Sequence, residues 1–211
     1  MVGAVVAVVT AAVGIFDPPL AIALMAENSA VESLQVVLMA AAAALAARQG
    51  WLALRAGRPA VLDVAIVTAM VMACVGEIDL DRKIFGVKIV TTLFFVDPKY
   101  PLALRVLAAL IVVGVPFAVG VWLLRRWTTL HGLGQGALRE PWGQTAAFGA
   151  ALYVVAQMLE RPIDRIPWQQ HHMIEETSEL IAALCIVIAL VARHGLGVRL
   201  LRAFGMRRTT R

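Results

Sequence analysis

Charged residues are scarce in this chain, which excludes an ordinary soluble domain. Asp, Glu, Lys and Arg make up 16% of the 211 residues, whereas a soluble domain carries about 25%. Hydrophobic residues reach 61%, the mean hydropathy is +0.82, and the apolar residues stand in long runs. Such runs are typical of membrane-spanning helices. The composition therefore predicts a polytopic membrane protein.

Cysteines are also few, and basic residues lack aromatic neighbours. The two cysteines, Cys74 and Cys185, lie inside apolar runs, where a free thiol behaves as a small hydrophobic side chain. Their number and spacing exclude a disulfide framework and a CxxC metal site. The net charge of +5 comes without the aromatic and basic pattern that binds nucleic acid. An excess of Lys and Arg in cytoplasmic loops explains this charge better.

Six apolar segments predict an all-α, polytopic transmembrane helix bundle with about six spans. These segments are Val2–Phe16, Ala30–Ala47, Ala60–Gly76, Leu102–Leu124, Thr145–Met158 and Leu180–Ala192. Only helices are compatible with lipid here, because open strands would leave backbone groups unpaired. The first segment lacks the basic start of a signal peptide, so we expect it to be retained. The bundle is expected to cover residues 1–195, followed by a basic cytoplasmic tail over residues 196–211.

The charges divide between the two ends of these segments. With the N-terminus in the cytoplasm, every acid except Asp63 and Glu140 lies outside, and most arginines lie inside. The positive-inside rule then predicts a multi-pass protein of the bacterial inner membrane with both termini in the cytoplasm. Segment Arg82–Phe95 would break this pattern as a full span. We expect it to be an external interfacial or re-entrant segment.

Two segments on the predicted cytoplasmic side need no chemical function. Gly132–Gly136 lies in an inner loop with no strand before it, so we interpret it as a flexible turn and not as a phosphate-binding loop. The tail over residues 196–211 is basic and partly amphipathic, and it is expected to lie on anionic lipid.

The first of three acidic clusters is AENSAVESLQ, at the predicted outer boundary. Glu32 and Gln35 share a helical face, with Glu27 before them. Asn28 or Ser29 can cap the helix, which places Glu32 in the first turn, where the helix dipole favours an acid. This capping interpretation leaves Gln35, which lies one turn deeper, unexplained.

The second acidic cluster is GEIDLDR, at the end of the third apolar segment. Glu77 and Asp81 share a face if the helix continues, and Asp79 can pair with Arg82. Acids at a helix C-terminus oppose the helix dipole, so they need a compensating cation or another helix end. A solvated loop is the alternative interpretation.

The third acidic cluster is HHMIEETSEL, which opens the last apolar segment. His172, Glu176 and Glu179 fall on one helical stripe, and His171 and Glu175 belong to an overlapping one. An N-terminal cap accounts for Glu175 or Glu176, but not for Glu179 or the two histidines. A charge deep in a bilayer costs about 2.5–3.5 kcal/mol, so such residues usually face a protein interior.

Together the three clusters predict one site at the outer boundary. Carboxylates that converge from three helices repel one another unless a cation joins them, and carboxylate and imidazole ligands suit a divalent metal ion. The predicted catalytic residues are Glu176 and Glu32. Two alternatives stay open, a structural salt-bridge network and a path for protons or ions. The predicted metal ligands are His172, Glu176, Glu179, Glu77, Asp81 and Glu32, and the arginines available to a salt-bridge network are Arg82, Arg161 and Arg165.

The phrases ENSAVESLQ, GEIDLDRKIFG and HHMIEETSELIAAL, in this order, resemble a family of small bacterial multi-pass membrane proteins without an established activity. The resemblance covers most of the chain and supplies no reaction. The site that it implies consists of Glu27, Glu32, Glu77, Asp79, Glu175, Glu176 and Glu179.

A fainter resemblance links the chain to the membrane hydrolases that include the alkaline ceramidases. Those enzymes hold zinc with three histidines and carry HxxxH on the last helix. Here the same spacing joins His171 to Glu175 and His172 to Glu176, and His131 and His194 lie on the inner side. This departure argues against zinc amidase chemistry.

The sequence thus predicts an inner-membrane protein with a carboxylate and histidine site at its outer boundary. One hypothesis is a metal-dependent enzyme that acts on a lipid-type substrate. The alternative is a non-catalytic subunit that binds lipid or a partner helix, because alanine-rich stretches such as Ala41–Ala47 permit close helix contact. Membrane lipids are the expected partners, with other membrane subunits or a second copy of the chain.

Overall fold

The described part of the molecule is built from helices. The computed structural model describes residues 30–78, 94–95, 98–159 and 168–195, with residues 112 and 168–172 described by their backbone alone. The regular structure of these residues is helical throughout, which confirms the all-α class. The helices are α1 (Ala30–Arg55), α2 (Val61–Glu77), α3 (Leu102–Ala109), α4 (Val115–Arg125), α5 (Trp127–Leu138), α6 (Pro141–Leu159) and α7 (Trp168–Arg193).

These helices coincide with all the predicted apolar segments except the first. Segment Val2–Phe16 lies outside the described residues, as do the tail and most of Arg82–Phe95. Helix α5 contains the stretch Gly132–Gly136, so the interpretation of this stretch as a flexible turn is wrong. Its backbone is helical because glycine, although a poor helix former, does not break the ladder of hydrogen bonds.

Helices α3 and α4 are joined by a π-helical segment, Leu110–Gly114. Pro116 follows it in the first turn of α4. Proline lacks an N–H, and its ring clashes with the carbonyl group four residues earlier in a regular helix. A widened π turn beside the proline relieves this clash while the helix continues. The segment predicted over Leu102–Leu124 is therefore one helix of uneven pitch.

Four helices form the core of the bundle. Helix α1 packs against α2 and α7, and α7 packs against α6. Ala42 and Ala46 of α1 are fully buried beside Met70 of α2. A Cβ atom at Gly149 of α6 would lie 2.9 Å from the carbonyl oxygen of Ala182 in α7. Small residues thus allow the helix backbones to approach closely, as expected for the alanine-rich stretch of α1.

Contacts at the two ends of the bundle define the directions of these four helices. Gln35 near the start of α1 binds Glu176 near the start of α7, so these two helices run parallel. Asp63 at the start of α2 pairs with Arg193 at the end of α7, so α2 runs antiparallel to α7. Gln157 near the end of α6 binds Glu179 in the first half of α7, and Gly149 earlier in α6 lies against Ala182 further along α7, so α6 is also antiparallel.

The two ends differ in charge. We call one the acidic end, because it carries the glutamates Glu32, Glu77, Glu176 and Glu179, and the opposite one the basic end, because it carries the arginines Arg48, Arg55, Arg58, Arg125, Arg126, Arg139 and Arg193. Among the described helices, α1 alone is both long and apolar enough to cross a membrane by length and composition. One such helix also occurs in the cores of soluble proteins.

Candidate functional site

Four glutamates from three helices meet at the acidic end. The carboxyl group of Glu77, the last residue of α2, lies against the carboxyl group of Glu179 in α7. The charges of Glu176 in α7 and Glu32 in α1 also act on Glu77. Glu179 is only 3% exposed. The structure therefore brings together four of the predicted site residues in an acidic cluster, in which Glu179 is buried and the other three are half-buried.

Two glutamine side chains connect this cluster to the neighbouring helices. Gln35 of α1 is fully buried, and its Nε2 donates to the backbone oxygen of Glu176 at 2.9 Å and to the Oε2 of the same residue at 3.2 Å. From α6, Gln157 donates through Nε2 to Oε1 of Glu179 at 2.7 Å. Glu176 and Glu179 thus each accept a hydrogen bond from an amide on another helix, which orients both carboxyl groups without neutralising them.

The same Gln35 side chain also presents an acceptor for which the described residues supply no donor. Its Oε1 is buried and has no hydrogen-bond donor among the described residues. Because the other half of this carboxamide binds Glu176, the free oxygen lies beside the acidic cluster. A buried acceptor without a donor costs about 1–3 kcal/mol. A carbonyl oxygen next to carboxylates is therefore suited to a cation or to a proton donor.

The predicted metal site is only partly visible. Of the predicted ligands, Glu32, Glu77, Glu176 and Glu179 belong to the acidic cluster, whereas Asp81 and the side chain of His172 lie outside the described residues, together with Glu27 and Asp79. In the described ranges, no three His, Cys, Asp or Glu side chains are placed to hold a metal ion. The metal ligands, and the catalytic roles of Glu176 and Glu32, stay predictions.

The start of α7 changes the interpretation of its acids. The helix begins at Trp168, and its first turn holds no acidic residue. Capping by Glu175 or Glu176 is therefore wrong, because these residues lie beyond the first turn, where the effect of the helix dipole fades. Glu32, by contrast, does lie in the first turn of α1, so the dipole stabilises its charge.

A second polar cluster closes the basic end. Asp63 of α2 is 2% exposed, and its carboxylate pairs with the guanidinium group of Arg193 in α7. That guanidinium lies 4.8 Å from the ring centre of Trp142 in α6. A Cβ atom at Gly50 of α1 would lie 3.1 Å from Cβ of Asp63, so the glycine admits the acid between α1 and α2. Residues of all four core helices thus meet here.

His194 extends this cluster just beyond the end of α7. Its Nε2 donates to the backbone oxygen of Leu45 at 2.9 Å, and its Nδ1 lies 3.3 Å from Nη1 of Arg48. A guanidinium group can only donate, so Nδ1 accepts this bond, and Nε2 carries the hydrogen that it donates to Leu45.

Sequence reasoning missed Gln157, the pairing of Asp63 with Arg193, and the role of Trp142. The available signals were weak. Gln157 is a polar residue near the end of an apolar segment, and Asp63 is one of two acids among the predicted inner arginines.

No protein-family model, curated protein or solved structure matches this chain. The two resemblances described above therefore stay predictions, and the function has to be argued from the residues of the chain.

Proposed function

We propose that this chain is a multi-pass helical protein of the bacterial inner membrane that binds a cation, foremost a proton, in the acidic cluster. The close approach of the Glu77 and Glu179 carboxyl groups carries the proposal. Two adjacent carboxylates repel each other. A proton on one of the two groups removes this repulsion and lets that group donate a hydrogen bond to the other. Two further glutamates at the same place make full ionisation of all four unfavourable. Acids inside a membrane bundle commonly mark ion paths or proton relays.

The exposed side chains support placement in a membrane. Large apolar residues face outward on most helices, with exposed fractions of 63% for Val37 in α1, 71% for Phe117 in α4 and 70% for Met158 in α6. Soluble monomers rarely expose extended apolar surface, whereas lipid covers it without cost. We infer that α3 and α4 with their π-helical segment, as well as α2, α6 and α7, span the membrane beside α1, and that the first apolar segment completes about six spans.

The charged ends support an orientation. Arginines gather at the basic end and glutamates at the acidic end. Under the positive-inside rule, the basic end faces the cytoplasm, and the acidic cluster lies at the outer boundary. Both termini are then cytoplasmic, and membrane lipids, further membrane subunits or a second copy of the chain are the natural partners.

A divalent metal ion is the second candidate for the bound cation. Oε1 of Gln35, which has no donor among the described residues, favours it, because hard cations combine carboxylate and carbonyl oxygens. His172 and Asp81 would complete the ligand set. A bound metal would open the route to the predicted lipid-directed enzyme by polarising a substrate group or activating water.

Infrared spectroscopy tests the shared proton. The purified protein in detergent should absorb at the carbonyl frequency of a protonated carboxyl group, and Glu77→Gln should lose this band. Glu140→Gln, which changes an exposed acid at the basic end, is the matched control and should keep it. Absence of the band in the natural protein would remove the proton as the bound cation.

Metal content and labelling separate the remaining alternatives. Stoichiometric metal in the natural protein that Glu77→Gln and Glu179→Gln abolish would identify the cation as a metal ion. For orientation, Lys99→Cys and Arg58→Cys are introduced after both native cysteines are replaced by alanine. An impermeant thiol reagent should label only the first in intact spheroplasts. Labelling of both, or release of the protein without detergent, would contradict the membrane topology.

A further inference from the structure

Helix α5 is the least buried of the longer helices that the structure describes, although it contacts α2, α4 and α6. It contains no buried residue, and no side chain caps its start. Cβ atoms at Gly132, Gly134 and Gly136 would meet nothing within 4 Å, so packing does not require these glycines. Each glycine in a helix costs about 1 kcal/mol relative to alanine. A helix of this composition and exposure would be stabilised by a further surface beyond the described residues.

Arginines stand at both ends of this helix. Arg125 and Arg126 precede it and Arg139 follows it, and all three are exposed. The guanidinium carbon of Arg126 lies 5.0 Å from the ring centre of Trp122. Within α5, Trp127 is 57% exposed and Leu138 is 51% exposed. The helix therefore offers large apolar side chains between two sites of positive charge, a combination typical of helices that lie in the headgroup layer.

The geometry points to α5 as an in-plane helix that binds the headgroups of anionic phospholipids through Arg125, Arg126 and Arg139. This inference rests on the proposed membrane placement, with the basic end in the cytoplasm. Arginine suits phosphate because its planar guanidinium donates two parallel hydrogen bonds. At the membrane boundary this segment should stay helical, because a helix pairs its own backbone N–H and C=O groups. Unpaired peptide groups are costly beside hydrocarbon. The positive charge of the arginines and the exposed apolar side chains of α5 thus both indicate anionic phospholipid.

Native mass spectrometry of the full chain in mild detergent tests the proposal. The protein is offered equal amounts of phosphatidylglycerol and phosphatidylcholine, and the lipid adducts are compared. We expect preference for the anionic lipid, reduced about fivefold for each arginine replaced by glutamine at positions 125, 126 and 139. A triple variant with lysine at these positions should keep most of the preference. Lys99→Gln, which removes an exposed charge at the opposite end, is the matched control.

Hydrogen exchange gives a local measurement in the natural protein. Amides of residues 127–138 should exchange several times more slowly in nanodiscs that contain phosphatidylglycerol than in nanodiscs of phosphatidylcholine alone. Equal exchange in both lipids, or an anionic preference unchanged in the triple glutamine variant, would overturn the assignment of α5. If the natural protein leaves the membrane without detergent, the proposed function itself has failed. If the protein stays in the membrane but shows no preference for the anionic lipid, only the inference about α5 is wrong.

Discussion

Breaking the ion pair at the basic end should destabilise the bundle more than any exposed charge change. The Asp63 side chain is 3% exposed and that of Arg193 is 17% exposed. Arg193→Gln leaves a carboxylate in the interior without a cationic partner, which should lower the free energy of unfolding by about 3–5 kcal/mol. Asp63→Asn should lower the free energy of unfolding by less, because Arg193 keeps partial access to water and an amide oxygen still accepts its hydrogen bond.

A double-mutant cycle isolates the interaction between the two residues. The variant that carries both Asp63→Asn and Arg193→Gln joins two neutral amides, so we expect it to be more stable than Arg193→Gln alone. The coupling energy should fall in the range of about 1–3 kcal/mol. Unfolding by SDS titration in mixed micelles, followed by circular dichroism at constant pH, measures all four proteins.

Arg55→Gln provides the control for this cycle. Arg55 is exposed and stacks on Trp51, with its guanidinium carbon 4.7 Å from the ring centre, so its replacement should change the free energy of unfolding by no more than about 1 kcal/mol. If Arg193→Gln is as stable as this control, or if the two single changes at the ion pair are strictly additive, then the buried carboxylate of Asp63 does not depend on Arg193.

Further substitutions at Gly149, Gln157 and His194 test the helix contacts. Gly149→Ala should cost about 1–3 kcal/mol, because its Cβ would press against the α7 backbone, whereas Gly120→Ala, in open space, should be neutral or stabilising by up to about 1 kcal/mol; equal unfolding midpoints would contradict this. Gln157→Leu removes the amide donor to Glu179 and should cost about 1–3 kcal/mol, measured by denaturation, with Gln157→Glu still more destabilising through charge repulsion. His194→Ala should speed hydrogen exchange in the last turn of α7, because both ring contacts to α1 are lost; unchanged exchange would show that these contacts do not hold the turn.

The positions of the long helices could be predicted because apolar runs directly reflect burial or lipid contact. Helix α5 could not, because its three glycines and lack of apolar periodicity are typical of a turn. The start of α7 was also beyond prediction. Polar residues that begin at Trp168 extend the helix well before the apolar run, and only the backbone conformation reveals this.

The candidate site, too, could be predicted only in part. The meeting of Glu32, Glu77 and Glu179 follows from charges at matching heights on separate segments, which the sequence displays. The hydrogen-bond donor of each carboxylate oxygen could not be predicted from the sequence, because it depends on the rotation of each helix about its axis. The pair of Asp63 and Arg193 joins positions 130 residues apart, so only packing discloses it.

The polar contacts at the two ends of α7 restrict the length of this helix. Glu176 and Glu179 engage partners at one end, and Arg193 engages Asp63 at the other. One extra residue between them would turn the later part by about 100° and advance it by about 1.5 Å, so one of the two sets of contacts would be lost. The π-helical segment at Leu110–Gly114 already accommodates such an irregularity. Insertions and deletions should therefore be tolerated there and rejected in the middle of α7.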